Sequence, residues 1–174
     1  MNISSKLLLS CALSLSASLV SAENHQALID QARSAAPSMV SSKATIMYQG
    51  KVLSEGTNGW VCMPETMPGD NSPICNDATW MEMLHAVGTK GPFEAREMGL
   101  SYMLGGDGGV SNSDPYHADH ANSGDFIKEG PHLMLIVPKA MLKGITDNPH
   151  AGGPYVMWKD TPYAHIMIPV GERD

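Results

Sequence analysis

The sequence predicts a single α+β domain, a mostly antiparallel sheet with two or three helices packed on it. Three observations lead there. Short apolar runs of strand length recur along the chain, separated by Gly, Pro, Asn and Asp. One segment, 78–87, has apolar residues at helical spacing behind an aspartate suited to capping. No linker, long repeat or change of composition divides the 174 residues.

Taken in order, residues 1–22 read as a secretory signal. Lys6 gives the positive start, Leu7 to Val20 the apolar stretch, and Val20-Ser21-Ala22 a small-residue cleavage site. The apolar stretch is too short and too rich in serine to span a bilayer. The domain is then 23–174, about 150 residues, exported to the periplasm or beyond, and large enough for one hydrophobic core. Asn24 to Ala35, with Ala27, Leu28, Ala32 and Ala35 spaced along it, predicts a short helix stopped by Pro37. Ala44 to Tyr48 and Lys51 to Ser54 flank Gln49-Gly50 as a hairpin, and Gly59 to Met63 follows as a strand, giving an early antiparallel sheet. Asp77 caps the helix 78–87, on which Trp80, Met83, Leu84 and Val87 share a face and which Gly88 ends.

Gly99 to Leu104 predicts a strand, and 105–130 a long loop opening on a glycine cluster and rich in Asn, Asp and His. Leu133 to Val137 is continuously apolar, as expected of a strand buried on both faces. Lys139 to Ile145 predicts one helical segment, and Tyr155 to Trp158 and His165 to Val170 two closing strands.

Composition narrows the partners. The chain has 11 basic and 18 acidic residues, a net charge of −7, and no cluster of Lys and Arg. Nucleic acid is therefore not an expected partner, because binding it relies on counterion release by clustered cations. Cys62 and Cys75 are the two cysteines beyond the signal and flank a proline-rich excursion; in an oxidising compartment they are expected to pair. There is no G-x-G-x-x-G, no phosphate-binding G-x-x-x-x-G-K, no G-x-S-x-G and no H-E-x-x-H.

The chemistry rests on histidine and methionine. His132-Leu133-Met134 and His165-Ile166-Met167 repeat one pattern, and the period of two in a strand places each His and Met on a common face. If the two strands are neighbours, His132, Met134, His165 and Met167 converge as a donor set that suits copper, Cu(I) above all. A second metal candidate, of zinc type, is His117 and His120 with Asp114 and Asp119 beside them. His150 precedes Gly152-Gly153 and is a third candidate for ligand binding or general-base work; Asp77, Asp114 or Asp160 could orient a histidine base. Thirteen methionines are the remaining anomaly. Met81 with Met83 and Met63 with Met67 resemble the clustered thioethers of periplasmic copper proteins, but on the expected helix Met83 faces the core while Met81 lies about 200° away. With only two phenylalanines, flexible thioethers also fit as core filling.

The segments Gly56-Thr57-Asn58-Gly59-Trp60-Val61-Cys62-Met63-Pro64, Gly130-Pro131-His132-Leu133-Met134, Gly152-Gly153-Pro154-Tyr155-Val156-Met157-Trp158 and Thr161-Pro162-Tyr163-Ala164-His165 resemble a family of uncharacterised exported bacterial proteins. The resemblance implies export and a single domain and carries no activity with it. The function expected is binding of a small molecule or of a metal ion, copper or zinc. A hydrolase with a histidine base and a structural or interaction protein of the envelope are the alternatives.

Overall fold

The computed structural model describes residues 24–173, so the predicted signal 1–22 lies outside the described residues. An eight-stranded sheet dominates. Its strands are β1 (Thr45–Tyr48), β2 (Lys51–Ser54), β3 (Val61–Met63), β4 (Ile74–Asn76), β5 (Gly99–Met103), β8 (His132–Ile136), β9 (Tyr155–Met157) and β10 (His165–Pro169). The spatial order is β2-β1-β3-β4-β5-β8-β10-β9; β6 (Val110–Ser111) and β7 (Phe126–Ile127) form a separate two-stranded ribbon. All pairings are antiparallel except β1 with β3, which is parallel. The mostly antiparallel α+β architecture of the sequence reading therefore holds, with a large sheet and few helices around it.

Helix α1 (24–33) and the single turn α2 (Ser38–Ser41) lie at the start of the chain, and α3 (Ala78–Thr89) follows β4. Asp77 caps α3 as expected: one carboxylate oxygen accepts from the Trp80 N–H at 2.9 Å and the other from the Leu100 N–H at 2.6 Å. The cap thus ties the helix to β5 as well as starting it. Gly88 does not end α3; Lys90 does, in the left-handed conformation at φ 54°, with its N–H returning to Ala86 and Val87.

The sheet has a core on each side. On one, α3 and the 105–130 segment cover Ile74, Met103, Met134, Ile136, Tyr155, Met157 and Met167. On the other, α1 contributes Ile29 and Ala32 to a cluster with Ala44, Ile46, Cys62 and Cys75. The two cysteines face each other across β3 and β4 and form a fully buried disulfide. Among the described residues no helix is long and apolar enough to cross a membrane.

Three further local expectations differ. β8 alternates, with His132, Met134 and Ile136 buried and Leu133 and Leu135 half-buried, because the cluster around α1 involves β1, β3 and β4 rather than β8. Lys139–Leu142 is a short 3-10 turn, not a longer helix. The 105–130 segment is not wholly irregular: it contains the β6–β7 ribbon and a 3-10 turn at His120–Asn122.

Candidate functional site

β8 and β10 are antiparallel neighbours, so the His-x-Met repeats run in opposite directions on one face. Met134 and Met167 are directly opposite each other, His132 is opposite Pro169 on β10, and His165 is opposite Met157 on β9. On the other flank, Met103 of β5 is opposite His132. The register therefore puts Met134 and Met167 between the two histidines, with Met103 beside one and Met157 beside the other.

Both rings are held the same way. His132 Nδ1 lies 2.8 Å from the Gly130 carbonyl and His165 Nδ1 2.9 Å from the Tyr163 carbonyl. A carbonyl accepts only, so each Nδ1 carries a proton, and in a neutral His165 ring Nε2 is left with a lone pair. Both Nε2 atoms are buried without a hydrogen-bond partner. Locking one ring nitrogen on a backbone carbonyl while freeing the other is the usual preparation of a metal-ligating imidazole.

A cavity of about 110 Å³ lies over this face, and its lining includes His165, Met67, Met103, Met134, Met157 and Met167. Trp80 and Trp158 also line it, each standing edge-on to the His165 ring with centroids 5.1 Å apart. Burial is the main reason the His165 imidazolium is disfavoured; it is opposed by the bond to Tyr163, reinforced by His132, and leaves the pKa at about 4. The ring is thus neutral at physiological pH.

Trp158 reaches its position at a conformational cost. Its φ is 52°, in a region that bulky side chains avoid. It is held there by Trp158 N–H to Asn112 O at 2.8 Å, its indole N–H to Ser111 O at 3.0 Å, and a bond from the Thr161 hydroxyl to its carbonyl at 2.7 Å. Backbone strain maintained by several bonds concentrates at functional positions.

Asp107, also in the cavity lining, presents Oδ2 at 4.0 Å from His132 Nε2, while its Oδ1 accepts from the Gly109 and Glu129 N–H groups at 2.9 Å each. Burial raises its pKa, opposed by the nearby His132. The glycine cluster makes this corner possible. At Gly109, φ is 86° and a Cβ would fall 2.1 Å from the Phe126 ring, so only glycine fits. Below the corner, Glu129 is buried and paired: Arg173 donates to both its oxygens, at 2.6 and 2.9 Å, and Tyr155 donates at 2.8 Å.

The other candidates lie elsewhere. His150 is exposed on the loop before β9. The His117 and His120 rings are 6.3 Å apart, and each Nδ1 accepts a backbone N–H, from Asp119 and Ser111 respectively. Asp77 is occupied as the α3 cap, Asp114 accepts from the Tyr116 N–H, and Asp160 is exposed. Among the described residues, no three His, Cys, Asp or Glu side chains are grouped to hold a metal ion. Sequence reasoning missed Asp107, Met157 and Trp158. A Met and a Trp just before a Lys-Asp-Thr-Pro turn gave a weak signal, and Asp107 none, since its role depends on β8 lying alongside.

Comparison with protein-family models, with curated proteins and with solved structures gives no significant match.

Proposed function

We propose that this protein binds Cu(I) in the methionine-lined cavity, with His165 Nε2 as the nitrogen ligand and thioethers drawn from Met134, Met157 and Met167. The observation that carries the reading is the buried, unpartnered lone pair of His165 in a lining with five methionines. An orphaned imidazole nitrogen costs about 1–3 kcal/mol in a dry site, which a ligand can recover. Thioether sulfur is a soft donor and a poor partner for magnesium or calcium, and a structural zinc site calls for several His, Cys or carboxylate ligands. Copper in its reduced state is the ion this donor set favours.

The chain's own part is to supply the neutral imidazole already oriented, to exclude water with Trp80 and Trp158, and to offer flexible thioethers that adjust their reach. His132 and Asp107 sit at the far end of the same face, with Nε2 and Oδ2 4.0 Å apart.

Anaerobic titration against a chromophoric Cu(I) chelator tests the reading. The native protein should take about one copper per chain, and His165→Ala should weaken binding by roughly 100-fold or more. Met134→Leu with Met167→Leu, which nearly conserves volume and so keeps the fold, should weaken it as well. Failure of the native protein to compete for copper, or unchanged affinity in both variants, would overturn the proposal.

A further inference from the structure

A second hollow, of about 200 Å³, opens beside the disulfide-closed loop and is lined in part by Met47, Met63 and Met67. Three separate segments bring them together. β1 and β3 pair in parallel through Ile46 and Cys62, and Met47 and Met63 are the next residues along each strand. Met67 comes from the loop between β3 and β4, and it lines both this hollow and the buried cavity.

Met67 differs from the other cavity methionines in exposure. It is 40% exposed, whereas Met103, Met134, Met157 and Met167 are at 4%, 6%, 2% and 1%. Core filling does not account for a thioether left so open. Nor is it on a loose tether. The Asp70 carboxylate accepts from the N–H groups of Thr66, Met67 and Ser72, at 3.2, 2.9 and 3.0 Å, and Glu65 accepts from Gly69 at 2.7 Å. The Cys62–Cys75 disulfide closes the base of the loop.

The same row of the sheet leads inward. Met63 is opposite Ile74 on β4, and Met103 is opposite His132 on β8. We infer that Met47, Met63 and Met67 form an outer thioether site that acquires Cu(I) at the surface, and that Met67 hands the ion to the buried cavity. This deepens the copper reading and rests on it for the destination of the ion. The transfer is ligand exchange: each new copper–sulfur bond forms as another breaks, and the copper remains Cu(I) throughout. A site of thioethers alone suits soft monovalent ions and discriminates against hard divalent ones.

Two measurements test it. In methionine-methyl NMR spectra, Ag(I), a redox-inert ion of the same soft chemistry, should shift the methyl signals of Met47, Met63 and Met67 at the first additions. In stopped-flow loading from a Cu(I)–bicinchoninate complex, Met67→Leu should load roughly tenfold more slowly than the native protein, with final affinity within about threefold of native. Met47 and Met63 signals that do not move, or native loading rates in Met67→Leu, would overturn the outer site. So would an affinity loss in Met67→Leu as large as that of the Met134→Leu, Met167→Leu pair, which would make Met67 an ordinary ligand of the buried site. If silver shifts the three outer methyls while the native cavity takes up no copper, the outer site stands and the buried-site reading falls.

Discussion

At the scale of single residues, the buried Glu129 is the most exposed to failure. Its carboxylate is satisfied by Arg173 and Tyr155 together, and removing one partner leaves a charge in a dry site. Arg173→Ala should therefore destabilise the fold by about 3 kcal/mol, and Tyr155→Phe by about 1 kcal/mol, read from urea unfolding midpoints. The carboxylate and Asp107 also raise the Tyr155 phenol above its usual pKa, after burial as the larger cause and against Arg173, so that hydroxyl remains a donor. At this scale the sequence made one half of the candidate site legible. The His-x-Met repeats were visible because a strand turns alternate residues to one side, a property local to three positions. Asp107 and Trp158 were not visible: Asp107 acts through a strand some 25 residues on, and Trp158 through a backbone conformation that tryptophan rarely adopts.

Among the elements, α3 shows what local signals can fix. Its cap, its apolar face and its approximate end follow from Asp77 and from residues spaced three and four apart. Asp77→Ala removes acceptors for both the Trp80 and Leu100 N–H groups and should cost about 1–2 kcal/mol of stability in thermal or urea unfolding. β4 was illegible for the opposite reason: three residues between Pro73 and Asp77 are too few to show a period, and they are a strand only because β3 and β5 pair with them. The β6–β7 ribbon depends on Asp125. Desolvation pushes that carboxyl up, but hydrogen bonds from Ser113 and Ser111 outweigh it and bring the pKa to about 2. Because the folded value lies below the unfolded one near 4, the stabilisation is complete above about pH 4 and is lost as pH falls through about 2. Amide protection factors in residues 110–127 should fall over that window in the native protein and change less in Asp125→Asn.

For the whole molecule, the disulfide joins two central strands and closes the loop that carries Met67. Reducing it should lower stability by about 3 kcal/mol in the chain-entropy account, measured by unfolding with and without reductant. The cysteine pairing was readable from count and the expectation of export, and the α+β class from the spacing of short strands. The parallel joining of β1 to β3 was not, since pairing direction is set by the path of the chain between strands. Nor was the half-covered state of Leu133 and Leu135, since an apolar run looks the same whether one face or both are roofed. The flanking of His165 by two indoles has a further use. Of the three tryptophans, Trp80 and Trp158 stand against that ring, while Trp60 packs at a tilt on Tyr102 at the opposite core. Should an ion reach the imidazole as proposed, the molecule would carry an optical gauge of its own cavity, with two emitters dimmed and the third left as an internal standard.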